Sequence, residues 1–172
     1  TKAELKAILQ DLVDRTDNRH AVLYWQVTRG TAPRKHAFPN PPVKANLSIM
    51  VNPFQFSDFT KAIRITEMED KRYFYCNVKS LNLLPAVLAA QKAEEEGCYE
   101  TILHRGEIVT ECSHSNVSIL KDGVLYTHPN DEYILAGIAK THLITACKQL
   151  GIPVQERPFT LTELREADEV LV

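Results

Sequence analysis

Apolar residues recur at helical spacing in three stretches of the chain, and between them they alternate or run unbroken, a rhythm that predicts a mixture of helices and strands. Leu5, Ile8, Leu9, Leu12 and Val13 form the first stripe, and Thr1 with Glu4 has capping-box spacing, so a helix is expected from the first residues. Ala21 to Val27 is nearly continuous apolar and aromatic, the pattern of a strand with both faces covered. Lys44 to Val51 reads as another strand, ended where Asn52-Pro53-Phe54 breaks the pattern, and Lys61 to Thr66 alternates as a half-exposed one. A second helix is expected from Asn82, with Leu84, Val87, Leu88 and Gln91 on one face, Pro85 in its first turn and Gly97 at its end.

Farther on, Glu100 to His104 and Glu107 to Thr110 read as a hairpin about Arg105-Gly106. Asn116 to Lys121 and Val124 to Thr127 read as another about Asp122-Gly123, a strong two-residue turn signal. Gly137 to Leu150 carries the third helical stripe and stops at Gly151 and Pro153. Val154 to Arg157 is a short strand, Leu161 to Arg165 a helical turn, and Val170-Leu171-Val172 an apolar run without turn or cap, which suggests a strand cut off in mid-pattern. By propensity alone the fold class is α+β.

Composition narrows the function classes. At 172 residues, 44% hydrophobic and 24% charged, the chain can bury one good core or two small ones. A formal net charge of −2 gives no argument for nucleic acid or a membrane surface, and neither partner is expected. With no apolar run long enough to cross a bilayer and no signal-peptide blocks at the N-terminus, the chain reads as cytoplasmic. Cys76, Cys98, Cys112 and Cys147 are scattered without a C-x-x-C pair, and the six histidines form no metal-ligand array; reduced thiols and no metal site are expected. His142, in the third helical stripe, is read as structural.

The candidate chemistry gathers around Lys79. It stands at the mouth of the apolar run that continues through Leu81, Leu83 and Leu84, and apolar neighbours strip water from an ammonium and favour the neutral amine that a Schiff base with an aldehyde needs. Downstream, Glu111 ends a short apolar run and is followed by Cys112, Ser113, His114, Ser115 and Asn116. Leu135-Ala136-Gly137-Ile138-Ala139 then opens a helix, whose free N–H groups and dipole favour a phosphate. Taken singly, Lys79 and Glu111 would be solvated charges and the serines turn residues.

Together, Lys79-Ser80-Leu81-Asn82, the run Glu111 to Asn116 and Tyr126-Thr127-His128-Pro129 resemble the fold-type IV pyridoxal-phosphate aminotransferases. The segment Gln26 to His36 is similar to the D-amino acid branch of that family. The resemblance implies an α/β chain, with the C-terminal part of a small domain at residues 1–52 and most of a large cofactor-binding domain at 53–172. It implies that the chain is a fragment lacking the family's N-terminal part and C-terminal end. It implies pyridoxal 5'-phosphate as cofactor and transamination between a D-amino acid such as D-alanine and a 2-oxo acid such as 2-oxoglutarate, giving pyruvate and D-glutamate. Aminodeoxychorismate lyase, branched-chain aminotransferase and a non-catalytic domain of the same fold are the alternatives.

By the same resemblance Lys79 is the anchor and proton carrier, and Glu111 is the acid against the pyridine nitrogen. Arg72, Ser115, Asn116, Leu135, Gly137, Ile138 and Ala139 surround the cofactor. Ser113 and His114 face substrate. Arg34 and His36, in the proline-rich loop Gly30 to Pro42, reach into the neighbouring subunit of a homodimer and bind the substrate carboxylate. Three positions depart from the family pattern: Cys112 replaces a common glycine, His114 a serine, and Ala139 a threonine that offers a hydroxyl to the phosphate.

Overall fold

The computed structural model describes residues 1–17, 20–56, 58 and 60–172. It divides into two compact units, Thr1–Lys61 and Ala62–Val172.

In the first unit, helix α1 (Lys2–Asp14) starts at the expected capping box, the Thr1 side chain accepting from the Glu4 N–H while the Glu4 carboxylate reaches back to Thr1. Strand β1 (Ala21–Thr28) pairs antiparallel with β2 (Asn46–Pro53), Ala21 facing Pro53 and Thr28 facing Asn46. The expectation that β1 is covered on both faces is corrected. It belongs to a two-stranded ribbon, and Val22, Tyr24, Trp25 and Val27 are exposed, Val27 at 64%. A ribbon of two strands has no further layer to bury both faces. Strand β2 also runs through Asn52 and Pro53 rather than breaking there, and Phe54 N–H donates to His20 C=O at 3.0 Å.

The second unit holds two sheets. Strand β3 (Ile65–Glu69) pairs parallel with β4 (Glu100–Arg105), which pairs antiparallel with β5 (Ile108–Cys112). The strand expected from Lys61 begins only at Ile65, because pairing with β4 sets its register from Ile65 opposite Glu100. Helix α2 (Leu84–Glu95) makes the crossover between the parallel strands, as such pairs require. Its buried residues are Ala89 and Ala93, whereas Leu84, Val87 and Leu88 are more than half exposed. The expected Leu/Val packing face is therefore the outer one. Small side chains let the helix approach the sheet closely enough for Thr101 Oγ1 to donate to Ala89 C=O at 2.6 Å.

Strands β6 (Ser118–Lys121) and β7 (Val124–Thr127) form the hairpin expected about Asp122-Gly123, both turn residues having positive φ, 51° and 73°. Helix α3 (Ile138–Gln149) follows, then β8 (Val154–Glu156), α4 (Leu161–Arg165) and β9 (Glu169–Leu171). The second sheet has the order β8-β7-β6-β9. A core of Ile102, Val109, Cys112, Val117, Ile119, Phe159, Leu161 and Leu164 fixes β4, β5 and β6 against one another. Each large member contributes about 1.5–3 kcal/mol by leaving water.

Candidate active site

Glu111 lies near the end of β5 and is buried, at 5% exposure. Its Oε1 accepts from Arg72 Nη1, and its Oε2 accepts from Asn116 Nδ2 at 2.9 Å and Leu135 N–H at 3.0 Å. A carboxylate offers about four lone-pair positions, so one acceptor position on Oε1 remains for another donor. Burial pushes the Glu111 carboxyl above its ordinary pKa, and the hydrogen bonds and charge of Arg72, with the Leu135 N–H, pull it back only in part.

Arg72 is itself held on its other edge. Its backbone N–H and Nε donate to Asp70 Oδ1 at 3.0 and 2.9 Å, and Nη2 donates to Asp70 Oδ2 at 2.9 Å and to Tyr133 C=O at 3.0 Å. Asp70 also accepts from Arg105 Nε at 3.2 Å and lies 3.0 Å from Thr110 Oγ1, whose single proton it shares with Leu103 C=O at 3.1 Å. Burial alone would raise the Asp70 pKa, but hydrogen bonding and charge from Arg72, joined by Arg105, hold it below the ordinary carboxylate value. Arg105 also donates to Arg72 C=O at 2.8 Å while its guanidinium lies 4.7 Å from the Phe74 ring centre and 5.1 Å from that of Tyr133.

A second buried acid, Glu100 at the start of β4, organises the turn after β5. Its Oε1 accepts from Ser113 Oγ at 3.2 Å, His114 N–H at 2.7 Å and Ser115 N–H at 2.9 Å, and its Oε2 accepts from Ser115 Oγ at 2.8 Å. The Ser115 hydroxyl spends its proton on Glu100, and the Ser113 hydroxyl lies between Glu100 and His114 Nδ1, each at 3.2 Å. The His114 side chain is exposed, with Nδ1 at 3.1 Å from Glu100 Oε1. Cys112 is buried in the core beside the two acids, and burial, with the charges of Glu100 and Glu111, drives its thiol far above the ordinary range, so it is a packing residue.

Gly137 is the N-cap of α3, and among the described residues no side chain caps that helix end. A Cβ at Gly137 would overlap Asn116 Oδ1, so glycine is what lets the Asn116 amide span from Glu111 to the Leu135 carbonyl, which Nδ2 meets at 2.9 Å. Leu135 is half-buried, and Ile138 and Ala139 in the first turn are exposed. Lys140 is buried in the same turn, donating to His128 C=O and, at 2.8 Å, to Asn130 Oδ1. It ties α3 to the loop after β7. His142, expected to be structural, sits on the exposed face of α3.

Lys79 is exposed in the loop between β3 and α2, and the desolvation expected of it is corrected: Val78 is 54% and Leu81 57% exposed, so the neighbouring side chains face water themselves. That loop is joined to the segment carrying Tyr133 and Leu135. Cys76 N–H donates to Glu132 C=O at 3.0 Å, and the rings of Phe74 and Tyr133 meet edge to face at 5.8 Å. Arg34 and His36 lie exposed in the other unit. The second unit therefore brings Arg72, Glu111, Asn116, Leu135 and Gly137 together and sets Ser113, His114 and Ser115 around Glu100. Sequence reasoning missed Asp70, Glu100, Arg105 and Lys140; the sole sequence signal for Glu100 was an acid opening an apolar strand.

The sequence profile described as Amino-transferase class IV matches residues 1–172, and the chain belongs to that family. It is 46% identical over 176 residues to a D-alanine aminotransferase of Listeria monocytogenes serotype 4b (strain F2365), and 40% identical over 174 residues to one of Staphylococcus haemolyticus. Both alignments cover 100% of this chain, which spans 61% and 62% of the length of those relatives. In fold it is similar to the branched-chain amino acid aminotransferase of Escherichia coli, with a TM-score of 0.83 at 22% identity over 99% of this chain and 59% of that one. The α/β architecture is that of the family.

Proposed function

We propose that the chain carries most of the site of a pyridoxal-phosphate-dependent D-amino acid aminotransferase, exchanging an amino group between a D-amino acid such as D-alanine and a 2-oxo acid such as 2-oxoglutarate. The observation that carries this reading is the Glu111 carboxylate, buried, fixed by Arg72, Asn116 and Leu135 N–H, and left with one acceptor position. That position suits the N–H of a protonated pyridine ring. The first turn of α3, which no side chain caps among the described residues, suits a phosphate, and Ala139 contributes its backbone N–H there in place of a hydroxyl. When bound, pyridoxal phosphate supplies the electron sink for the carbanion formed at the substrate α-carbon.

The chain's own residues supply the rest. Lys79 would hold the cofactor's aldehyde covalently and, once released, move a proton to and from the substrate α-carbon; its exposure leaves the amine free for both tasks. Glu111, in its ionised form, would keep a proton on the ring nitrogen. Ser113 and Ser115 would accept from an ammonium through their hydroxyl oxygens. Arg34 and His36 would bind the substrate carboxylate in the neighbouring subunit of a homodimer, Arg34 through its planar fork. The division into residues 1–52 and 53–172 and a cytoplasmic location belong to the same reading.

The test is an assay of the intact protein with D-alanine and 2-oxoglutarate beside L-amino acids and aminodeoxychorismate, followed by borohydride reduction and peptide mapping. Transamination of the D-substrate with reduced cofactor on Lys79 is expected, and Lys79→Ala should abolish both. Turnover of aminodeoxychorismate alone, or cofactor mapped to another lysine, would overturn the reading. Arg34→Ala should leave cofactor content unchanged while weakening amino-acid binding roughly ten- to a hundredfold, the scale of one charge-assisted hydrogen bond.

A further inference from the structure

The cluster behind Glu111 holds four charges: Asp70 and Glu111 share Arg72, and Arg105 lies against Asp70. Arg72 is gripped along its Nε–Nη2 edge by the two oxygens of Asp70, a fork-to-fork contact that fixes the guanidinium plane. Once that edge is fixed and Nη2 also meets Tyr133 C=O, Nη1 is the nitrogen left to point at Glu111. The Asp70 side chain is fully buried and receives donors from its own loop, from β4 and from β5, so it cannot follow Arg72 if Arg72 moves.

We infer that Asp70 is a positioning residue for the Glu111 carboxylate, acting through Arg72. The inference rests on the reading above only for the use to which Glu111 is put; the geometry and its test need no cofactor.

Asp70 influences Glu111 by two routes of opposite sign. Directly, its negative charge opposes ionisation of Glu111; indirectly, it holds in place the arginine that favours ionisation, and Arg72 is the larger of the two influences. The other ionisable groups near Glu111 are Arg105 on β4, Cys76 in the loop before α2, Cys112 on β5 and Lys140 on α3, and these stay unchanged in the experiment. The direction in which Glu111 shifts when Asp70 loses its charge therefore tells which route operates.

The experiment is a pH titration of the Glu111 carboxyl by carbon-13 NMR in the intact, cofactor-free protein, the signal being assigned with Glu111→Gln. In Asp70→Asn the apparent pKa of Glu111 should rise by about one unit or more, a tenfold weakening of ionisation. A fall, or no change, in a folded variant overturns the proposal, since that is what a mere neighbouring charge would give. On an Arg72→Gln background, Asp70→Asn should no longer raise Glu111; a rise there also overturns it. Should Asp70→Asn not fold, the Arg72 guanidinium protons decide. They should be individually resolved and slow to exchange in the unaltered protein and faster in Thr110→Val, which removes the hydroxyl shared by Asp70 Oδ2 and Leu103 C=O and keeps the side-chain shape. Averaged signals, or exchange indifferent to Thr110→Val, overturn it. Failure of the transamination assay with a positive result here would discard the enzyme reading and leave the positioning role standing.

Discussion

Glu100 and Glu111 are both buried glutamates on neighbouring strands, yet their surroundings differ in kind. Glu100 accepts two backbone N–H groups and two hydroxyls, all from the turn after β5, three of them on Oε1 and one on Oε2. Glu111 accepts one arginine, one amide and one backbone N–H, and keeps a position free. A carboxylate whose four donors all come from one turn serves as a framework for that turn, whereas one with three donors from separate segments retains capacity to meet a further donor. The number and origin of the donors thus separate the two acids, which burial alone does not do.

The comparison can be broken first at Glu100. Glu100→Ala strands the N–H groups of His114 and Ser115, and a loss on the order of 3 kcal/mol in urea unfolding is expected. A loss below about 1 kcal/mol would remove Glu100's role as a framework. Glu111→Gln keeps one acceptor oxygen and turns an amide NH2 towards a donor that the other oxygen now accepts from, at a cost of about 1–3 kcal/mol, and should lower turnover of the intact enzyme roughly a hundredfold, the scale of losing one preorganised electrostatic partner. Equal turnover would show the free acceptor position to be unused. Gly137→Ala drives a methyl into Asn116 Oδ1. It should cost about 1–3 kcal/mol by overpacking and weaken cofactor retention, both readable by thermal melting with and without pyridoxal phosphate.

The smallest effect is in the pH dependence. Asp70, with its pKa held down, stabilises the fold above its ordinary value near ~3.9, and this is lost as pH falls through the lower folded value. Glu111, with its pKa pushed up, contributes stability below its ordinary value near ~4.3 and loses it as pH rises through the higher folded value. The melting temperature of Glu111→Gln relative to the unaltered protein should therefore climb with pH across that second window. A flat difference would mean that Arg72 fully offsets the burial of Glu111.

What the sequence made legible was local. The Thr1–Glu4 cap, the Asp122-Gly123 turn and the stop at Gly151 are dictated by backbone geometry within a few residues, and all appear where expected. Pairings between distant residues were not legible: Arg72 meets Glu111 across 39 positions and Arg105 meets Asp70 across 35, and no period marks either. Asp70 and Glu100 read as ordinary acids for that reason. Helix α2 misled by the opposite route, because its bulky residues drew the eye while Ala89 and Ala93 made the contact. Lys79 was singled out by its motif, and the dry surroundings expected for it came from reading neighbours in sequence as neighbours in space.

The parallel pairing of β3 with β4 sets the order in which this unit can assemble. The β6–β7 hairpin closes over two residues, whereas Ile65 can meet Glu100 only after the intervening chain, with Arg72, Lys79 and α2, has been gathered into one long excursion. Closing that excursion costs more chain entropy and comes later. In pulse-labelled hydrogen exchange during refolding, amides of β6 and β7 should be protected before those of β3, and the reverse order would contradict this. Arg72 and Lys79, carried on that excursion, would then become ordered after the β6–β7 hairpin.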